Sequence, residues 1–358
     1  MKKTISAAGI FPVAMDEKVV NTYRPVTGDL AVFEVLELGK HTRIQADDRT
    51  HRYIYPGNQI MATFGARYAS AQFEGYIPET PCDTYHILGQ GGVIGRVASA
   101  HSIFEPIGPT SLKLIGYCLD EKGTIINTRY YRREPYKFTL ANESRTFRTI
   151  LSVGASMDSG KTTSAAFLAG GLVKAGFSVA FIKLTGTIYS KDVDFVKDKG
   201  ACLSLDFSYF GYPTTYLVSL EELLKLYQSL LAKASEIQPD FVIIEIADGL
   251  LQQETAALLN SEIFKQSIDH VMYSCPDSLG VLGGLSILDS YGIRPFALSG
   301  LFTASPLMIE ETRKMVSLPV LRLSDLDDPA VVRFFADAAP AVKTLNLQRV
   351  SQNFPLSA

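Results

Sequence analysis

The chain contains the stretch GASMDSGKTT, in which Gly154 and Gly160 enclose five residues and Lys161, Thr162 and Thr163 follow directly. A glycine turn running into a lysine and two hydroxyls has the composition of a phosphate-binding loop, whose usual pattern is G-x-x-x-x-G-K-[ST]. This loop is one residue longer, and Ala155 stands where the first glycine belongs. An apolar run, TILSVGA, precedes it and a stretch of helical composition, TTSAAFLAGGLVKAG, follows. That order matters because turn amides and a helix N-terminus then converge on phosphate oxygens. In this reading Gly154, Ser156, Met157, Ser159, Gly160, Lys161, Thr162 and Thr163 contact a nucleotide. Lys161 reaches the β- and γ-phosphates as a point charge, Thr162 offers its hydroxyl to Mg2+, and Thr163 meets the α-phosphate. Asp158 either orients an attacking group near the γ-phosphate or bonds its own backbone in the turn. The plainer alternative is that G-K-T-T merely caps a helix.

A second candidate is the carboxylate of Glu245 in IIEIADGLL. A charge at the end of a buried apolar strand is costly unless it is paired or faces a cation. Asp248 and Glu254, just beyond it, read either as further carboxylates near a metal or as solvated loop charges.

The spacing Gly154, Gly160, Lys161, Thr162 resembles the dethiobiotin synthetase family, one branch of the P-loop proteins. The resemblance covers about residues 147 to 320 and rests on four further stretches. FIKLTGT carries Lys183, Thr185, Gly186 and Thr187, similar to the family's lysine and Thr-Gly pair. SKDVDFVKDKGA offers Asp194, with Asp192 as the nearby alternative, where the family has a metal-binding aspartate. IIEIADGLL aligns Glu245 and Gly249 with a strand ending in V-E-G-A-G-G-L. A fourth, VMYSCPDSLGVLGGLSILDSYGIRPFALSG, matches at Leu279 and Gly280, with Gly283 in place of an asparagine. The resemblance implies ATP and Mg2+ as cofactors, a metal held by Thr162, Asp194 and Glu245, and Lys161 and Lys183 acting on the transferred phosphoryl group. It also implies a homodimer. Ile246 and Asp248 replace two family glycines that lie beside the substrate, so dethiobiotin synthesis itself is not expected. Ser299 and Gly300 stand in place of the family's adenine-binding asparagine, which leaves ATP and GTP both open, and the lack of an N-K-x-D stretch favours ATP.

The elements that must carry these residues divide the chain in two. Up to residue 146, β-rich runs alternate with turns: AVFEVLEL, then HRYIY and QIMATFGARYA around PGN, then SLKLIGYCLD and TIINTRYY around EKG. That is hairpin grammar, and it predicts a small all-β domain, a barrel or sandwich, over 1–146. The glycines of HILGQGGVIGRVAS are read as tight bends. After the polar stretch RREPYKFTLANESRTFRT, apolar strands and helices alternate, which predicts a doubly wound α/β P-loop domain with a mainly parallel sheet over 147–358. The helix SLEELLKLYQSLLAKASEIQ places Leu220, Leu223, Leu224, Tyr227, Leu230 and Leu231 on one face as a core stripe.

Bulk properties narrow the function. The 358 residues are 47% hydrophobic and 20% charged, with formal net charge −3, which suits folded domains and argues against nucleic acid as partner. The arginines and tyrosines of RTHRYIYPGNQIMATFGARYASAQFEGY, Arg49, Arg52, Arg67, Tyr53, Tyr55 and Tyr68, are read as alternating strand faces before a single-strand binding surface. The five histidines lack metal-ligand spacing, and Cys82, Cys118, Cys202 and Cys275 are spread singly as reduced thiols. Pro12, Asp16 and Glu17 interrupt an N-terminal apolar stretch, and no run reaches the length of about 18 residues that spans a bilayer, so a cytoplasmic protein without membrane contact is expected. The leading expectation is a Mg2+-dependent ATPase or ATP-dependent ligase acting on an unidentified small molecule. Its rivals are a nucleotide-dependent switch whose β-domain binds a protein partner, and a small-molecule kinase.

Overall fold

The computed structural model describes residues 1–131 and 146–335. Most of the polar stretch between the two halves, 132–145, lies outside the described residues. The described residues group into two compact units: one falls within Met1–Pro135 and includes Lys183–Asp194 and Leu205–Ser219, the other falls within Tyr136–Ile182, Phe195–Ser204 and Leu220–Ala358. The first unit therefore contains two pieces of chain from beyond residue 146.

The N-terminal unit is built on an eight-stranded mixed sheet. Five of its strands close into a ring: Gln59–Phe64 pairs with Leu30–Glu37, that with Ser111–Leu119, that with Tyr85–Gly89, that with Val93–Ala100, which returns to Gln59–Phe64. The last pairing is parallel, and so is that of Lys2–Lys3 with Gln59–Phe64, so the unit is not a plain succession of hairpins. Alternation fills the ring. Phe33, Val35, Ile60, Ala62, Phe64, Tyr85, Ile87, Ile94, Leu112 and Tyr117 share one buried cluster, while Leu30, Val32, Met61 and Cys118 from the opposite faces join a second.

Two expected hairpins are corrected. His51–Tyr53 pairs with Arg43–Gln45, not with Gln59–Phe64, because the latter is taken up by the longer strand Leu30–Glu37. After Ser111–Leu119 the chain makes two isolated bridges, Ile125 to Leu119 and Asn127 to Asp29, and then turns into the short helix Thr128–Tyr131 in place of a strand. The glycines of HILGQGGVIGRVAS do serve a bend, with Gly92 at φ +91 between Tyr85–Gly89 and Val93–Ala100. The reading of His51–Tyr53 as an alternating strand face is also corrected, since all three residues are exposed. Arg49 and Arg52 are ion-paired with Asp194 and Asp48.

The second unit carries a six-stranded sheet. In chain order its strands are Arg148–Gly154, Val179–Lys183, Leu203–Asp206, Phe241–Glu245, His270–Ser274 and Ala297–Ser299, and in space they lie third, second, fourth, first, fifth, sixth. The first strand runs parallel to the fourth and fifth, and the fifth parallel to the sixth. Every residue of Phe241–Glu245 is buried, as are Thr149 to Gly154, which explains continuous apolar runs in place of alternation. Helices Lys161–Lys174, Leu220–Ser235, Ser278–Ser290 and Pro306–Met315 follow their strands as the sequence suggests, and Leu223, Leu224, Tyr227 and Leu230 are buried along the expected stripe. Among the described residues no helix is long and apolar enough to cross a membrane.

Candidate functional site

The parallel register brings the chemistry to one edge. Gly154 stands opposite Ser274 and Ser152 opposite Glu245, so the first, fourth and fifth strands end side by side. The strand order reverses beside the first strand, and open α/β sheets take ligands at the carboxyl ends of their strands at such a switch point.

The loop leaves the sheet at Gly154, is pinned by a hydrogen bond from Ala155 N to the Ser274 carbonyl at 2.9 Å, and enters the helix at Lys161. Gly160 adopts φ +96 and lies so close to Gly300 that a Cβ would fall 2.9 Å from the Gly300 Cα. Only glycine meets both demands. At Gly154 a Cβ would collide with Ser159 Oγ and lie 2.7 Å from Lys161 Cγ. Gly160 provides no side-chain cap to the fourteen-residue helix that starts at Lys161, and a helix N-terminus of this kind favours an anion.

Lys161 is 6% exposed. Its Nζ donates to the Ser156 carbonyl at 2.7 Å and to the Asp248 carbonyl, curling back over the loop. Thr162 Oγ1 donates to Glu245 Oε1 at 3.0 Å, and Glu245 is 1% exposed. Thus Lys161, Thr162, Glu245 and Asp248 are assembled from residues up to 87 positions apart. Asp158 is exposed at the turn with φ +59, and Ser159 is fully buried, its Oγ without a hydrogen-bond partner among the described residues. Ser156, Met157, Thr162 and Thr163 are half-buried around the same turn.

Of the remaining candidates, Lys183, Asp192 and Asp194 sit in the N-terminal unit and Glu254 in the second. Lys183 forms an ion pair with Asp192. Asp194 is ion-paired with Arg49 and accepts from Ser190 Oγ at 2.5 Å, while Ser190 and Gln45 hydrogen-bond each other twice, at 2.8 and 3.0 Å. Glu254 is buried and accepts from Gln252 and Gln253. Among the described residues there is no cluster of three or more His, Cys, Asp and Glu side chains that could hold a metal. A hydroxyl and one carboxylate, as at Thr162 and Glu245, nevertheless fit Mg2+, which completes its shell with phosphate oxygens and water.

Several contributors were not legible. The Asp248 carbonyl holds Lys161, but a main-chain acceptor leaves no trace in residue type. Gly249 and Gly300 approach the loop backbone, where a Cβ would lie 2.6 Å from Ser156 Cα and 2.5 Å from the Ser159 carbonyl oxygen respectively. Both glycines stand out in the sequence, Gly249 by its alignment four residues past Glu245 and Gly300 directly after Ser299, but not for this close approach to the loop. Ser299, near the expected base-recognition position, accepts from Ser164 Oγ at 3.0 Å and donates to the Leu321 carbonyl at 3.0 Å, with both serines fully buried.

No protein-family model matches the chain, and no curated protein sequence matches it. Among solved structures it is similar to the signal recognition particle receptor FtsY from Elizabethkingia anophelis in complex with GDP, at 14% identity and TM-score 0.39 over 55% of this chain and 65% of that one. It is similar to the signal recognition particle 54 kDa protein from Aeropyrum pernix K1 in complex with GDP, at 17% identity and TM-score 0.36 over 54% and 47%. The kinase domain of the Escherichia coli tyrosine kinase ETK gives 17% identity and TM-score 0.34 over 45% and 71%. The chain spans less than two thirds of the first two of these proteins.

Proposed function

We propose that the α/β unit binds a nucleoside triphosphate, ATP in preference to GTP, along Gly154–Thr163, and hydrolyses it or uses it to activate an acceptor. The observation that supports this most is Lys161: a buried ammonium folded onto two carbonyl oxygens of its own loop, beside an uncapped helix start. Carbonyl oxygens can be exchanged for phosphate oxygens at little cost, and the charge gains by the exchange. Mg2+, held by Thr162 and Glu245, would neutralise charge on the phosphoryl group. In this reading Lys161 and the loop amides bind and orient the phosphates, and Asp158 orients the attacking group. The minimal site uses the α/β unit alone; Lys183 and Asp194 have partners in their own unit and are not assigned a step.

A ligase resembling dethiobiotin synthetase is the finer form of this proposal, with an acceptor that tolerates Ile246 and Asp248 where that family has glycines. One observation favours a nucleotide-dependent switch as the second reading. Asp248 stands at φ +62 and its carbonyl accepts from Lys161, so a phosphate that recruits the lysine frees the 248–249 segment to rearrange.

Calorimetric titration with ATP and GTP, each with and without Mg2+, tests the reading. Tight binding that requires Mg2+ in wild type, and loses that requirement in Glu245→Gln, is the expected result. Equal affinity with and without the metal in wild type would remove Thr162 and Glu245 from the account. Light scattering with and without nucleotide separates a switch from an enzyme whose association state is constant.

A further inference from the structure

The N-terminal unit gathers three tyrosines and a glutamate that the loop chemistry does not use. Glu74 lies on strand Phe73–Tyr76 and stands opposite Ser99 in the antiparallel pairing with Val93–Ala100. Its carboxylate accepts from three hydroxyls: those of Tyr76 and, at 3.2 Å, Tyr216 reach Oε1, and Ser99 Oγ reaches Oε2 at 2.9 Å. The Tyr76 and Tyr216 hydroxyl oxygens are themselves 3.1 Å apart. The Tyr216 ring meets two others, with centroids 5.9 Å from Tyr76 and 5.6 Å from Tyr68 and planes tilted by 41° and 53°. Main-chain bonds hold the rings in place. Arg67 and Gly75 exchange two of them, at 2.9 and 3.0 Å, which fixes the segment that carries Tyr68; Tyr216 N donates to Thr214 Oγ1 at 3.2 Å and Thr215 N to the Gly186 carbonyl at 3.0 Å. Tyr68, Glu74, Tyr76 and Tyr216 are each half-buried, so solvent reaches them.

Hydroxyl donors satisfy the geometry of a carboxylate but leave its charge in place. The Tyr76 hydroxyl above all holds the Glu74 carboxyl below its usual range, against partial burial, and Ser99 and Tyr216 add to the effect. Both phenols are pushed up, Tyr76 by Glu74 first and Tyr216 by burial first, so they stay neutral donors. Arg96 stands opposite Tyr76 in register, yet the partners of Glu74 are hydroxyls and not a cation. A negative charge thus lies at the hydroxyl ends of aromatic rings, whose faces attract cations. The hydrogen bonds decide which cation fits. Hydroxyls already take three of the carboxylate's roughly four acceptor positions, which leaves little to offer a primary ammonium in exchange for its water. A quaternary ammonium has no N–H to donate and presents its charge through methyl groups that pack on rings.

We propose that Tyr68, Tyr76, Tyr216 and Glu74 form a binding site for a quaternary ammonium group on the β-barrel unit. It shares no residue with Gly154–Thr163. The rings receive the methyl groups, and Glu74 supplies the opposing charge without a hydrogen bond to the ligand.

The test titrates the full chain with choline chloride and, separately, with neohexanol, its uncharged carbon isostere, at constant ionic strength. The choline methyl proton resonance is expected to move upfield saturably, as protons over ring faces do, and calorimetry to show choline bound about tenfold more tightly than the alcohol. An acetylated trimethyllysine amide, titrated alongside, separates a free small molecule from a modified lysine side chain, the tighter ligand marking the source. Tyr68→Leu removes a ring and leaves the three hydroxyls on Glu74. It should weaken choline about three- to thirtyfold, the range of a single cation–π contact. Glu74→Gln keeps an acceptor for the hydroxyls and removes the charge, so choline should weaken about tenfold while the alcohol is unaffected. Melting curves that match wild type show that each loss is local. A choline resonance unmoved by the folded chain would overturn the proposal. So would equal affinity for the alcohol, or choline binding unchanged in both variants.

Discussion

At the scale of single residues the site depends on what glycine permits. In Gly154→Ala the new methyl meets Ser159 Oγ and the Lys161 stem, and overpacking of this kind costs about 1–3 kcal/mol. Thermal melts should show that loss, and calorimetry should show weaker nucleotide binding because Lys161 is displaced. Outside the loop, the same reasoning about burial gives a pH effect. Lys40 titrates near 8 in the folded chain against 10.5 for the free side chain. Between those values the unfolded chain binds more protons, so stability rises with pH across that window and the penalty is fully present below it. Lys40→Met should flatten that rise in chemical denaturation measured from pH 7.5 to 10.5, and an unchanged slope would contradict the assignment. Residue types announced Lys161, Thr162 and Glu245 because their chemistry resides in side chains. They were silent about the Asp248 carbonyl, and they gave Asp194 no hint of Arg49, which stands 145 positions earlier.

At the scale of elements, the helix that starts at Lys161 is held by the chain's later turns. Gly171 faces Leu323–Leu326 so closely that a Cβ would collide with the Leu326 carbonyl. Asp327 receives Lys174 at 2.5 Å and Lys199 at 3.3 Å across the same contact. Alanine is the better helix former by about 1 kcal/mol, yet here the clash with backbone dominates, so Gly171→Ala should lower the melting temperature. A raised melting temperature would show that the clamp yields. The strands of this unit were legible because burial on both faces writes unbroken apolar runs such as FVIIE and HVMYS. Helix Lys191–Asp198 and strand Leu203–Asp206 were not, since eight mostly polar residues and four residues are too short to establish a period. In the barrel the pairing of Gln59–Phe64 with Leu30–Glu37 overrode the nearer partner, a choice set by long-range packing of Phe33 against Phe64 at 5.2 Å and not by the PGN turn.

At the scale of the whole molecule, the chain order and the compact units differ. Ile188 N donates to the Pro213 carbonyl at 2.9 Å, Thr128 Oγ1 to the Gly211 carbonyl at 2.6 Å and Gln45 Nε2 to Ser190 Oγ at 2.8 Å, so Lys183–Asp194 and Leu205–Ser219 are fastened among N-terminal residues. A fragment comprising 147–358 would lack those partners. Limited proteolysis should cut it between 183 and 219 well before it cuts the full chain there, whereas equal protection would show that these segments need no barrel. The break in composition near residue 146 could reveal two rhythms but not this interleaving, because the returning segments are short and of mixed character. In this reading phosphate binding by the loop depends on Lys161. Losing hydrogen bonds to a charged group costs about 1.5–3 kcal/mol, so Mg2+-dependent ATP affinity should fall about ten- to a hundred-fold in Lys161→Ala relative to wild type by calorimetry, with the fold intact. If folded wild type binds neither ATP nor GTP, or the variant binds them as tightly, Gly154–Thr163 is a helix start and not a nucleotide site.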